Sequence, residues 1–230
     1  MSHEPDELAA LAVLAEPLRR RLYRHVTAQA VPVSRESAAT ALGVPRSVAA
    51  FHLDKLAELG LLEVEYRRPP GRGGPGAGRP AKLYRRATRD VALSVPERHY
   101  DLAALLLAEA VEEAAERGVP ASDVLPDVAR THGRTLGAQV DRAAKRSRKR
   151  LLGRLAELLA ESGYEPHVTG ATMALENCPF AALAEEHRAL ICAMNLALVE
   201  GMVEELPGVS AHLDPAPERC CVTLVGRGDR

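Results

Sequence analysis

Four cysteines, Cys178, Cys192, Cys220 and Cys221, all fall within the last 53 residues of a 230-residue chain. Thiolates are nucleophiles and soft metal ligands, so this clustering points to metal binding or redox chemistry rather than neutral scatter. The spacings are Cys-x13-Cys and then Cys-x27-Cys-Cys. Cys178 is expected to close a strand, Cys192 to lie on a helix, and Cys220-Cys221 to begin the last strand. Adjacent strand residues face opposite sides, so only one of Cys220 and Cys221 joins the other thiols unless a bulge intervenes. Cys178, Cys192 and Cys220 are then one thiolate short of an all-cysteine zinc site or a closed cluster, with His187 as the possible fourth ligand. A thiol redox switch and plainly structural buried cysteines are the other readings.

A second group of chemically capable residues lies near the other end. Arg46, Ser47, Ala50, Asp54 and Lys55 share one side of a helical segment whose opposite side is Ala49, Leu53, Leu56 and Leu59. Short polar and basic side chains at the start of such a helix reach base edges in a major groove, and Arg46 is placed to take guanine by a bidentate contact. Phe51 lies between the faces and is expected in the core, the alternative being contact with a thymine methyl. His52 is expected to pack or to touch phosphate rather than to bind metal. Downstream, Arg67, Arg68, Arg72, Arg79, Lys82, Arg85 and Arg86 crowd a Gly/Pro-rich segment whose thin tip suits the DNA backbone or minor groove. A solvated basic loop is the bland reading. The DNA-contact set is therefore Arg35, Arg46, Ser47, Ala50, Lys55, Arg68, Arg72 and Arg79.

The elements that must position these groups follow from periodicity and breakers. Leu8, Leu11, Leu14, Leu18 and Leu22 recur at helical spacing, with Pro17 dividing two helices. Ser34 is an N-cap for a short helix ending at Gly43, and a second helix runs from about Pro45 to Gly60. Leu61–Tyr66 alternates like a strand, residues 69–80 cannot be helix or ladder, and Ala81–Arg86 returns as a strand. Two helices, a turn and a strand–loop–strand make a winged helix-turn-helix. After a linker around Pro96, residues 100–117 and 122–163 read as Ala- and Leu-rich helices with breaks at Pro120 and near Gly137. Tyr164–Val168 with Ala171–Leu175, and Val209–Leu213 with Cys220–Leu224, read as two hairpins flanking a helix over Pro179–Leu206. The fold class is mainly α with small β parts, an α+β chain. Its expected domains are residues 1–90 for DNA binding, 91–163 as a helical linker and dimerisation region, and 164–230 as a cysteine-containing sensor.

The run Ala49-Ala-Phe-His-Leu-Asp-Lys-Leu-Ala-Glu-Leu-Gly-Leu-Leu-Glu-Val64, followed by Gly76-Ala-Gly-Arg-Pro-Ala-Lys-Leu-Tyr-Arg85, resembles bacterial ArsR-type winged-helix regulators. The closest subgroup is the one containing the SufR iron–sulfur repressors. The resemblance continues through Glu176-Asn-Cys-Pro-Phe180, Asn195-Leu-Ala-Leu-Val-Glu-Gly201 and Arg219-Cys-Cys-Val222. It implies a repressor carrying a labile iron–sulfur cluster whose presence changes DNA affinity, with zinc as the alternative metal. Metal-binding ArsR members usually place a Cys-rich ligand set in the helix-turn-helix itself, and this chain has no cysteine before Cys178. It also departs from the four-cysteine pattern of the cyanobacterial SufR members, with nothing near Leu206-Pro207 to supply a fourth thiolate.

Partners follow from the same reading: a double-stranded DNA operator, a second copy in a homodimer, and a possible small-molecule effector. A small-molecule-responsive regulator with structural cysteines is the alternative, and a nucleic-acid or thiol enzyme is the alternative from another class. No Gly-x-Ser-x-Gly, His-Glu-x-x-His or phosphate loop supports catalysis. Arg142, Lys145, Arg146, Arg148, Lys149 and Arg150 read as a solvated helix face rather than a second DNA contact. The longest apolar stretch, Ala189 to Val199, is short and interrupted by Asn195, and the start lacks a basic signal region. No membrane association and a cytoplasmic location are therefore expected. Net charge is −1, but residues 1–90 hold 15 Lys+Arg against 10 Asp+Glu, while residues 91–230 hold 15 against 21. The near-neutral total conceals a basic end and an acidic end, which restores nucleic acid as a partner.

Overall fold

Pro17 and Gly43 punctuate the first helices as their chemistry requires. A computed structural model of the chain describes residues 7–67, 80–140, 148–216 and 219–226, with residues 148 and 149 through their backbone alone. It divides into two compact units, Met1–Leu93 and Ser94–Arg230.

In the first unit, α1 (Glu7–Ala12) and a 3-10 turn (Val13–Ala15) lead into α2 (Pro17–Thr27). The Glu16 carboxylate caps α2, accepting from the Leu18 and Arg19 amides at 3.0 and 2.6 Å, with Pro17 in the first turn. A short β1 (Val33–Ser34) precedes α3 (Arg35–Leu42), whose N-cap is Ser34, its hydroxyl accepting from the Ser37 amide at 3.0 Å. Gly43 ends α3 at φ +66°, letting the Val44 amide donate back to Ala39 and the Gly43 amide to Thr40. That left-handed cap sets the turn into α4 (Arg46–Glu58) and is open only to a residue without Cβ strain. The chain then forms β2 (Leu62–Arg67) and β3 (Ala81–Arg86), paired from Leu62↔Arg86 to Arg67↔Ala81. With β1 the order is β1-β3-β2, all antiparallel. Leu22, Val26, Ala49, Leu53, Leu56, Leu62 and Tyr84 form the core. The expected helix–turn–helix and both wing strands are thus present, while residues 68–79 between the strands, over which no helix or ladder is expected, lie outside the described residues.

In the second unit, α5 (Tyr100–Arg117), α6 (Ala121–Gly137) and α7 (Arg148–Glu161) precede β4 (Pro166–Thr169) and β5 (Thr172–Leu175). Then come α8 (Ala181–Glu186), α9 (Arg188–Val203), β6 (Val209–Leu213) and β7 (Val222–Gly226). The two expected hairpins do not stand apart. Met173 on β5 pairs with Leu224 on β7, giving one four-stranded antiparallel sheet of order β4-β5-β7-β6. Leu106, Leu125, Leu155, Met173, Phe180, Ile191, Leu198 and Leu224 share one core. Its tightest joint is between α6 and α9. A Cβ on Gly133 or Gly137 would lie 2.0 or 2.3 Å from the Leu198 or Met202 carbonyl oxygen, and one on Gly201 2.1 Å from that of Arg130. The backbones touch there because these residues have no side chain. Arg130–Glu200 at 2.6 Å and Arg134–Glu204 at 2.7 Å flank the crossing. Among the described residues, no helix is long and apolar enough to cross a membrane.

Candidate nucleic-acid interface and cysteine pocket

The first turn of α4 presents Arg46 and Ser47 to solvent, and Ala50 is half-buried behind them. Arg46 makes no hydrogen bond or ion pair among the described residues, so its guanidinium is available to a ligand. Lys55 is also exposed but is paired with Glu58 at 2.9 Å, one turn along the helix. Phe51 is not in the core: it is 63% exposed, with its ring edge-on to His52 at 5.3 Å. The reason is angular. Ala49, Leu53 and Leu56 define the buried face, and a residue two positions from both Ala49 and Leu53 lies about 200° around the helix. His52 is a packing residue, its Nδ1 accepting from Arg19 Nε at 3.2 Å and lying 3.6 Å from Glu16.

Arg35 is tied down. Its Nη2 donates to both Asp54 oxygens at 2.9 and 2.6 Å, and its Nε donates to the Tyr84 hydroxyl at 2.8 Å. Asp54 Oδ1 also accepts from Lys82 Nζ and from the Tyr84 hydroxyl, each at 2.6 Å. One carboxylate on α4 thereby joins the start of α3 to the wing strand β3. Burial alone would raise its pKa, but hydrogen bonds from Lys82, Tyr84 and Arg35 outweigh that and hold it at about 2. The same network raises Arg35 through its bond to Asp54, and raises Tyr84 through burial and the Asp54 bond. A cleft of about 600 Å³ opens beside it, lined among others by Ser34, Arg35, Arg46, Tyr66 and Lys82. On the wing, Arg67 pairs with Glu65 at 2.9 Å and Arg85 with Glu63 at 2.5 Å. Arg68, Arg72 and Arg79 lie outside the described residues, as do Arg142, Lys145 and Arg146.

In the second unit a pocket of about 580 Å³ gathers Cys178, Cys192, Cys220 and Cys221, with Arg98, Arg188 and Arg219 also in its lining. Two strand assignments shift. Cys178 lies three residues beyond β5, in the turn before α8, where its carbonyl accepts from Ala181 N and Arg98 Nη1, each at 3.1 Å. Cys220 and Cys221 precede β7: Cys220 N donates to Leu175 O at 2.9 Å, and Cys221 O accepts from Asp214 N at 2.7 Å. Off the strand, the two are released from facing opposite sides, and both line the pocket. Cys192 lies on α9 as expected. His187 is exposed at the junction of α8 and α9 and is not part of the pocket lining. Among the described residues, no three His, Cys, Asp or Glu side chains are spaced to hold a metal ion.

The neighbouring Cys220 thiol and burial push the Cys178 thiol far up. For Cys220 the Cys178 thiol acts downward, but the Cys221 thiol and burial prevail and push it up to about 11. Behind them runs a buried polar chain. Asn195 Nδ2 donates to Cys220 Sγ at 3.2 Å, and Asn195 Oδ1 accepts from the Tyr164 hydroxyl. Burial, then the neighbouring cysteines, lift the Tyr164 pKa well above the ordinary phenol value. Asn177 anchors the rim through Nδ2 to the Gly163 and Glu97 carbonyls at 2.6 and 3.0 Å, while Arg98 donates to its Oδ1. Arg219 is held by Asp214 at 2.6 Å and Thr223 at 2.8 Å. Asn195 and Tyr164 do not line the pocket but support Cys220 from behind, and neither stands among the expected site residues. The available signal was an amide interrupting an otherwise apolar helix, since a buried amide requires partners.

A family model described as a helix-turn-helix domain matches residues 14–65, which span α2 through most of β2. No curated protein and no solved structure matches the chain. Residues 14–65 are a helix-turn-helix DNA-binding domain.

Proposed function

We propose that the protein is a transcription regulator acting as a repressor, a homodimer that reads a pseudo-palindromic operator and whose affinity is set at the cysteine pocket. The helix-turn-helix domain supports the DNA-binding half of this reading. Arg46 and Ser47 at the exposed start of α4 meet base edges. Two such heads match half-sites about one helical turn, roughly 34–36 Å, apart.

One observation carries the control half: four thiols from three separate segments line a single pocket. That donor set has the chemistry of iron–sulfur ligation, in keeping with the resemblance to the SufR subgroup. Cys178, Cys192 and Cys220 would hold the group, with Cys221 in the fourth place because it lines the pocket and His187 does not. When bound, a cluster supplies sensitivity to oxygen and to redox state. The chain's own residues do the positioning. Arg98 holds the Cys178 carbonyl and its charge favours the Cys178 thiolate, and Asn195 holds the Cys220 sulfur. The spacing of the thiols does not close around a single metal ion, so zinc is the weaker fit.

The test is protein prepared without oxygen, assayed for iron, acid-labile sulfide and visible absorbance, then titrated with operator DNA before and after air exposure. Stoichiometric iron and sulfide with an affinity that changes on exposure is the expected result. A colourless, iron-free protein with full operator affinity, unchanged by Cys178→Ser or Cys220→Ser, overturns control at this pocket.

A further inference from the structure

The cleft beside α4 is lined by three cations, Arg35, Arg46 and Lys82, yet they are not equivalent. Arg46 is unengaged among the described residues. Arg35 and Lys82 are both turned onto Asp54, Arg35 across both carboxylate oxygens at 2.9 and 2.6 Å and Lys82 at 2.6 Å. One guanidinium nitrogen, Arg35 Nη2, and the Lys82 ammonium converging on two anionic oxygens is a charge-assisted arrangement that suits a phosphodiester as well as a carboxylate. Tyr84 completes the cage with its hydroxyl on Asp54 at 2.6 Å, and both cations lie near its ring, at 5.9 and 5.5 Å from the centroid.

We propose that Asp54 is an internal substitute for a backbone phosphate. It keeps Arg35 and Lys82 from engaging DNA phosphates and so lowers affinity for duplexes of any sequence. Discrimination then falls to the free groups at the start of α4, Arg46 and Ser47, which can reach bases. The inference rests on the DNA-binding reading and refines it, because it removes Arg35 from the direct DNA contacts expected from sequence and makes Asp54 the residue that sets specificity. The physical basis is counterion release: each cation that neutralises a phosphate adds about 0.9 to the slope of log affinity against log salt, regardless of sequence. A carboxylate already seated in the cage withholds that increment.

The experiment measures affinity for the operator and for a random duplex of equal length, across a salt series, using the full-length protein. The variants are Asp54→Asn, Lys82→Gln, Asp54→Asn with Lys82→Gln, and Asp54→Glu. Asp54→Asn is expected to steepen the salt slope by about 0.9 for each freed cation, up to about 1.8. It should strengthen random-duplex binding more than operator binding, narrowing their ratio. Lys82→Gln alone should leave the wild-type slope unchanged, and adding it to Asp54→Asn should remove about half of the gain. Asp54→Glu, keeping the charge, should retain the wild-type slope.

Weaker binding to both duplexes by a folded Asp54→Asn variant, at the wild-type slope, overturns the proposal and leaves Asp54 a positioning residue. So does a slope that falls by about 0.9 in Lys82→Gln alone, a result independent of whether Asp54→Asn folds. A wild-type protein that shows no salt-dependent DNA binding overturns the DNA-binding reading itself, a separate outcome.

Discussion

Asp54 and Asn195 are the two polar side chains on which most depends, and they differ in what they must satisfy. Asp54 stays ionised because three donors surround it. Its folded pKa of about 2 lies below the ordinary 3.8, so its contribution to stability is complete above about pH 5 and is lost as pH falls toward 2. The gap corresponds to at most about 2 kcal/mol. Urea unfolding of the full chain from pH 6 down to pH 2.5 should show the helix-turn-helix unit weakening over that window, and Asp54→Asn should flatten the change. Asn195, only 1% exposed, bridges the Tyr164 hydroxyl and the Cys220 thiol. Asn195→Ala leaves the Tyr164 hydroxyl buried without its acceptor and should cost about 1–3 kcal/mol by thermal or urea unfolding. Tyr164→Phe added to it should cost less than the sum of the two alone, because both remove the same bond. Helical spacing in the sequence placed Asp54 on the outward side of its helix. It could not reveal that Lys82 and Tyr84, some thirty residues away, close over it through the register of β1, β2 and β3.

At the level of elements, the parts with strong local punctuation were readable in advance. Ser34 and Gly43 bound α3, Pro45 precedes α4, and Ala81–Arg86 is the returning wing strand, because caps and turns are decided by nearest neighbours. What was not readable is decided by partners far along the chain. The ends of β5 and β7 depend on where the sheet stops pairing, so Cys178 and Cys220 fall outside strands that alternation alone would have extended over them. Phe51 faces solvent because its angular position on α4, not its apolar character, decides its burial. The α6–α9 joint depends on Gly133, Gly137 and Gly201, and helical pattern in the sequence marks only Gly137, as a break. Gly133→Ala or Gly201→Ala inserts a methyl about 2 Å from a carbonyl oxygen of the opposite helix and must push the helices apart. A loss of about 3 kcal/mol, with reduced cooperativity of the second unit, is the expected outcome in denaturant titration. Gly153→Ala is the matched control. Gly153 lies within α7 and meets nothing within 4 Å, so alanine there should add about 0.5–1 kcal/mol of stability.

For the molecule as a whole, charge is partitioned by unit. The basic excess of residues 1–90 and the acidic excess of residues 91–230 nearly cancel, which makes the net charge a poor guide to partners. Operator affinity should fall log-linearly with salt, by about 0.9 per phosphate neutralised, and a fluorescence anisotropy series from about 50 to 300 mM salt measures it. A flat response would count against DNA binding altogether. The second unit has a mechanical character of its own. Over its 16 residues α9 is a rod about 24 Å long, with Cys192 near one end and Gly201 about 14 Å further along, pressed against the backbone of α6. Most helix contacts are cushioned by side chains that change rotamer and absorb small displacements. This one has no such cushion, so it behaves as a stiff bearing. A tilt of α9 at that crossing would meet the backbone of α6 rather than side chains able to change rotamer, and the Arg130–Glu200 and Arg134–Glu204 pairs lie beside it.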